Sequence, residues 1–333
     1  MTQKTVTIAD VAKKAGVSTM TVSRAINNKG EITEATRQKV LQVAAELSYR
    51  PSRIARSLVT RKTMQIGLVV PDITNPFFSQ IALGAQNAAW EAGYNLLLLN
   101  TMEDLEREEA ILDLLEESQV DGVILCSPRL LEAQLENQLT KQAATVLINR
   151  PIASEVVGLI HIADEAGAAQ AVKHLISGGR RRIAMLNGPP RSFSGQNRQK
   201  GYLAALKQAG LPLDPTLQSP CDPTPEGGLT AGAALLKERP EVDALFCYND
   251  LVAVGALQAC AALGKRVPQD VAIVGVDDIP VASLISPRLT TLKTPKYEIG
   301  LTAVELLLQR LQGQNKQSVK FFEQQLVVRK SAP

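Results

Sequence analysis

The chain has 333 residues, of which 45% are hydrophobic and 21% charged, which leaves room for two or three domains of ordinary globular composition. No apolar run approaches the ~18 residues of a membrane-spanning helix, and MTQKTVTIAD has no signal-peptide core, so a cytoplasmic location is expected. Four cysteines without CxxC spacing and two histidines, His161 and His174, argue against a disulfide framework and a His-rich metal site; no metal and no cofactor are expected.

Charge is unevenly placed. Residues 1–62 carry twelve Lys/Arg against four Asp/Glu, a net of +8, while the remainder carries 24 against 29, a net of −5. A basic head on a mildly acidic body points to a module that meets a polyanion. Thr7 and Asp10 suit a capping box. Ile8, Val11, Ala12 and Ala15 then repeat at helical spacing, and Gly16 suits a helix end. Ser18 caps a second helix with Val22, Ala25 and Ile26 on its inner face and Thr19, Met20, Ser23, Arg24 and Asn27 on its outer face. A third helix runs from near Thr33 to about Ser48 and buries Val40, Leu41, Ala44 and Leu47. Two short helices joined by a tight glycine turn, with a third in support, make a helix-turn-helix. The small hydroxyls of Ser18, Thr19, Thr21 and Ser23 can approach phosphates or base edges, and Arg24 can give two parallel hydrogen bonds to a guanine.

The next stretch, RPSRIARSL, has three arginines and no acid. It reads as a hinge over residues 51–62, with a helix too short to hold alone in water. It could fold when two copies meet on DNA, placing Arg53, Ala55, Arg56 and Leu58 at the duplex with Leu58 as a minor-groove wedge. A flexible basic linker is the alternative.

From residue 63 apolar runs alternate with helix-length amphipathic segments. The runs are Ile66–Val70, Asn95–Asn100, Gly122–Cys126 and Val146–Asn149, with helices near 78–92, 105–119 and 129–141. A second set comprises Leu159–Ile162, Ile183–Asn187, Ala244–Tyr248 and Val271–Val276, with helices near 165–177, 198–209, 227–238 and 250–263. A last helix covers about 296–311. Such alternation gives parallel sheets covered on both faces. The expected fold is a small all-α helix-turn-helix head, residues 1–50, plus an α/β body of two doubly wound parallel-sheet subdomains. These take residues 63–161 with 290–317, and residues 162–289 with 318–333. Trp90, at helical spacing with Leu83 and Ala89, is expected in the core.

Ligands of such sheets bind beyond the carboxyl ends of the strands, and polar groups gather there. Phe77 and Phe78 follow Val70; Asn149, Asp164, Asn249 and Asp277 each follow a strand; Arg198 lies near a helix start. Carboxylates, an amide and an arginine converging on a cleft can pair with hydroxyls while a phenylalanine covers an apolar face. Each also has an ordinary use: Asp277 as a helix cap, Asn149 in a turn, Arg198 in solvent.

The stretch TIADVAKKAGVSTMTVSRAIN, followed by YRPSRIARSL, resembles the head and hinge of the lactose-repressor (LacI/GalR) family of bacterial regulators. The resemblance continues through nearly the whole chain, and the body resembles the type I periplasmic-binding-protein fold. It implies that Thr19, Met20 and Arg24 read the major groove and that Leu58 intercalates. It also implies that Arg198, Asn249 and Asp277 grip a small effector, with Phe77, Phe78, Asn149 and Asp164 lining the same pocket. Two departures bear on that effector. Cys221-Asp222-Pro223-Thr224-Pro225 lacks the aromatic platform of several relatives, and Ser192 stands where purine-responsive relatives have an arginine. A sugar, sugar phosphate or similar polyol is expected rather than a purine. The implied function is a ligand-responsive repressor that binds a pseudo-palindromic double-stranded operator as a homodimer, the effector acting through its different affinity for two arrangements of the subdomains. An extracytoplasmic sugar-binding protein would need a signal peptide and no basic head. An α/β enzyme with a nucleotide or phosphate cofactor would show GxGxxG after a strand or GxxxxGK[ST], and neither occurs.

Overall fold

A computed structural model describes residues 6–27, 30, 32–49, 57, 60, 62–153, 157–314 and 318–333. Arg53, Ala55, Arg56 and Leu58 of the expected hinge lie outside the described residues. The chain divides into two compact units at Thr63 and Met64.

The described part of the first unit includes α1 (Ile8–Ala15), α2 (Thr19–Asn27) and α3 (Glu34–Glu46). Thr7 closes the capping box with Asp10: its backbone N–H donates to the Asp10 carboxylate at 2.8 Å, and its hydroxyl accepts from the Asp10 N–H at 3.4 Å. Gly16 ends α1 at φ 69°, a left-handed conformation that costs a glycine little. Eight apolar side chains form the core, among them Val11, Ala15, Val22 and Val40. Leu41 is not among them: it is 41% exposed, and Val43 takes its expected place. On a helix, Val40, Val43 and Ala44 share one face, whereas Leu41 lies about 100° away from Val40.

The second unit is built on two six-stranded sheets. The first has the order β11-β5-β4-β3-β1-β2, where β1 is Gln65–Val70, β2 Asn95–Asn100, β3 Gly122–Cys126, β4 Thr145–Ile148, β5 Val157–Ile162 and β11 Val319–Phe322. The second has the order β12-β10-β9-β8-β6-β7, with β6 Ile183–Asn187, β7 Gln218–Pro220, β8 Ala244–Cys247, β9 Ala272–Asp277, β10 Thr290–Lys293 and β12 Gln325–Val327. All pairs are parallel except β10 with β12, which is antiparallel. Helices cover both faces of each sheet, as the buried, apolar strands require. Helices Pro76–Glu91 and Lys296–Leu311 pack on one face of the first sheet, and their backbones approach closely at Gly84 and Gly300. A Cβ at either glycine would meet a carbonyl oxygen of the other helix at 2.1 Å.

Three expectations are corrected. Leu159–Ile162 belongs to the first sheet, because β5 pairs with β4 from Val157 onward. The expected subdomain ranges are exchanged at both late crossings: Thr290–Lys293 pairs with β9 in the second sheet, and Val319–Phe322 pairs with β5 in the first. Both segments are four residues long, too short to carry a period. Trp90 is 71% exposed and Leu83 48% exposed. The helix Pro76–Glu91 turns Phe77, Phe78, Ile81, Ala85 and Ala89 inward, which leaves Leu83 and Trp90, seven residues apart, together on its outer face.

Candidate functional site

Two sets of polar side chains stand out, one in each unit. In the head, Ser18, Thr19, Met20, Arg24 and Asn27 are exposed and Thr21 and Ser23 half-buried. Ser18 caps α2, its hydroxyl accepting from the Thr21 N–H at 3.1 Å. Asn27 is tied back to the Ser23 carbonyl at 2.9 Å. Thr19, Met20 and Arg24 project from the same helix into solvent. An exposed methionine beside an arginine gives both an apolar contact and a paired hydrogen-bond donor, which suit a thymine methyl and a guanine edge.

In the body, a cleft opens between the two sheets at the carboxyl ends of their strands. The first subdomain contributes Phe77, Phe78, Glu103 and Ser127; the second contributes Arg198, Tyr248, Asn249 and Asp277. Phe77 and Phe78 meet edge to face at 5.0 Å, placed by Asn75, which caps their helix through the Phe77 N–H at 2.9 Å.

Arg198 is the hub. Its Nε donates to Asp164 at 2.8 Å and its Nη1 to the Tyr248 carbonyl at 2.5 Å. Its guanidinium carbon lies 4.9 Å from the centre of the Tyr248 ring. Burial opposes its charge, but Asp164 and Asp277 more than offset that and hold it charged. The remaining Nη2 stands 3.9 Å from the Asp277 carboxylate. That is too long for a direct hydrogen bond. A ligand hydroxyl between them could accept from the guanidinium and donate to the carboxylate.

Asp277 is wholly buried, and burial pushes its carboxyl up to about 7, with Arg198 and Lys296 pulling the other way. It sits at the end of β9 with φ 111° and caps no helix. Behind it Asp250 accepts from the Thr291 hydroxyl at 2.5 Å and the Ile279 N–H at 2.9 Å; burial, then the charge of Asp277, raises its carboxyl well above the ordinary value. Asn149, left-handed at φ 58°, crosses the cleft: its amide donates to Asp164 at 2.6 Å and to the Ser194 hydroxyl of the second subdomain. Asn249 combines two tasks. Its Oδ1 caps helix Asp250–Ala262 through the Val252 N–H at 2.8 Å, and its Nδ2 reaches the Pro223 carbonyl at 3.3 Å.

Ser192 is fully buried; its hydroxyl caps helix Phe193–Gln208 and meets the Tyr248 hydroxyl at 2.8 Å. A Cβ on Gly188 would come within 2.5 Å of the Tyr248 ring, so only glycine leaves room for the ring there. An aromatic ring thus lines the cleft just beyond β8, at Tyr248.

A family profile described as the periplasmic binding proteins and sugar binding domain of the LacI family matches residues 63–325, and one described as bacterial regulatory proteins of the lacI family matches residues 7–52. The chain belongs to the LacI family. Two relatives are the ribose operon repressor of Halalkalibacterium halodurans, 36% identical over 92% of this chain and 90% of that one, and the HTH-type transcriptional repressor PurR of Photobacterium profundum, 35% identical over 98% of each. A solved structure, the lac repressor dimer bound to operator and the anti-inducer ONPF, superposes with a TM-score of 0.88 at 29% identity, covering 99% of each chain. This LacI-family chain is a ligand-responsive transcriptional repressor, not an enzyme, with a DNA-binding head and a sugar-binding-type body. No helix among its described residues is long and apolar enough to cross a membrane.

Of the seven residues expected at the effector, Phe77, Phe78, Arg198, Asn249 and Asp277 line the cleft; Asp164 stands one hydrogen bond behind Arg198, and Asn149 one behind Asp164. Sequence reasoning did not single out Glu103, Ser127, Ser194 or the ring of Tyr248. The signal available was position alone: Ser127 and Tyr248 each directly follow a strand, as Asn149 does.

Proposed function

We propose that this regulator works in the cytoplasm as a homodimer on a pseudo-palindromic operator, Thr19, Met20 and Arg24 reading base edges, and that a sugar, sugar phosphate or similar polyol in the cleft controls its affinity for DNA. The observation that carries the effector reading is the gap of 3.9 Å between Arg198, held by Asp164 and the Tyr248 carbonyl, and Asp277 at the end of β9, a donor and an acceptor open to a hydroxyl. The buried Ser192–Tyr248 pair supports a sugar over a purine. Dimerisation is supported by the exposed Leu83 and Trp90 on one helix face and by the dimeric lac repressor among its structural relatives. The effector shifts operator affinity only to the extent that it favours one arrangement of the two subdomains.

The test uses the full chain. Duplexes selected from a random library should be pseudo-palindromes, bound with a steep loss of affinity as salt rises because phosphate contacts release counterions. A panel of sugars, sugar phosphates and nucleobases is then titrated into the complex. Selected sites without two-fold symmetry, or a response to nucleobases and to no sugar, would overturn this reading.

A further inference from the structure

The first-subdomain wall of the cleft carries an ion pair between a half-buried carboxylate and a buried arginine that the expected effector set does not include. Glu103 lines the cleft, and both of its carboxylate oxygens accept from Arg129: Nε donates at 2.6 Å and Nη2 at 2.9 Å. Arg129 is only 4% exposed. Its Nη1 donates to the Ser127 carbonyl at 2.7 Å, and its backbone N–H donates to the buried Glu108 at 2.8 Å. Two consecutive non-glycine residues, Met102 and Glu103, take left-handed backbones at φ 56° and 59° to reach this geometry. Strain and burial are thus both accepted to hold one carboxylate at the cleft wall.

The charges around the cleft are lopsided. Asp72, Glu103 and Asp277 line it, and Arg198 is the lining cation. That cation already has Asp164 as a partner, and Arg129 is spent on Glu103. With Arg198 balancing Asp164 and Arg129 balancing Glu103, Asp72 and Asp277 have no matching cation among the described lining residues, so the cleft carries a net negative charge. Carboxylates on both walls accept hydrogen bonds from hydroxyls and repel phosphate, and low polarity around them strengthens both effects.

We infer that Glu103, held by Arg129, is a specificity-determining residue that accepts an effector hydroxyl and selects an uncharged polyol over its phosphate ester. This rests on the sugar reading above and narrows it. Isothermal titration of the full chain with D-ribose, D-xylose, D-glucose and cellobiose, each beside a phosphate ester of the same sugar, tests it. A neutral sugar should bind ~100-fold or more tightly than its ester, since like charges brought together in a closed site are strongly unfavourable. Glu103→Gln keeps an acceptor for Arg129 while removing the charge. It should weaken the neutral sugar and narrow the ratio to ~10-fold or less. A purely structural role would lower both affinities together and leave the ratio unchanged, which overturns the inference. Glu103→Ala, which removes the charge and the acceptor together, should narrow the same ratio; an unchanged ratio there also overturns it. An ester bound as tightly as its parent sugar defeats the charge argument and leaves the sugar reading standing. Binding by no sugar in either form defeats both.

Discussion

The reading helix and the effector cleft solve opposite problems. On α2, Thr19, Met20 and Arg24 stand in water, placed by a helix whose caps and core are satisfied without them. In the cleft, Arg198, Asp164 and Asp277 are nearly or wholly buried; Arg198 and Asp164 hold each other, and Asp277 is fixed by its place at the end of β9. A surface that reads DNA gains by presenting groups whose partners arrive with the ligand. A closed cleft cannot leave charges unpaired, because an isolated buried charge is far more costly than an exposed one. The cleft therefore satisfies most of each group's needs internally and leaves a few donor and acceptor positions for the ligand.

The contrast is broken most directly at Arg198. Arg198→Ala strands Asp164 in the interior, and the body should lose about 3–5 kcal/mol of stability as well as its effector. Denaturant unfolding of wild type and variant measures this; a loss under about 1 kcal/mol would mean the cleft is as tolerant as the surface.

The next effect concerns protons. Asp277 binds its proton more tightly folded than unfolded, so its contribution is fully present below its ordinary value of 3.8 and is lost as the pH rises through about 7. The shift amounts to on the order of a few kcal/mol. Asp277→Asn should flatten this part of the stability–pH profile and be more stable than wild type at pH ~8, while losing effector response. A variant with the wild-type slope would place the titration elsewhere, Asp250 being the first candidate because its carboxyl is also raised by burial.

On the exposed side, Arg24→Ala should cost about 1–3 kcal/mol of operator affinity, concentrated at one base position per half-site. Its melting temperature should stay at the wild-type value, since the side chain faces solvent. A uniform loss across sequences would make Arg24 a phosphate contact instead. The smallest effect expected is Thr7→Ala, about 1 kcal/mol of head stability through the lost cap, read by thermal unfolding, with the base preference unchanged.

Most of the architecture was legible because its signals are local. The capping box of Thr7 and Asp10, the left-handed Gly16 and the strand–helix alternation of the body depend on neighbours within a few residues, and most body elements fall within a residue or two of their expected bounds, whereas the helix expected at 198–209 begins at Phe193 and the one expected at 129–141 begins at Glu132. The elements that escaped are β7, β10, β11 and β12, three or four residues each. Such segments become strands only because a neighbouring sheet edge offers hydrogen bonds. That is also why the late crossings between subdomains were assigned to the wrong sheets.

The candidate site divides in the same way. Sequence by itself determined which residues follow the strands, and a parallel sheet brings all such positions to one edge; hence Asn149, Asn249 and Asp277 were named before any coordinates, whereas Arg198, inside helix Phe193–Gln208, was named from an expected helix start and the family resemblance. Only the tertiary structure decided what each of them does. It joined Asn149 to Ser194, 45 residues away, and Glu103 to Arg129, 26 residues away. It also turned Trp90 outward, because one face of its helix was already taken by the sheet and by helix Lys296–Leu311. Pairings of buried charge depend on distance in space, and no spacing along the chain encodes them.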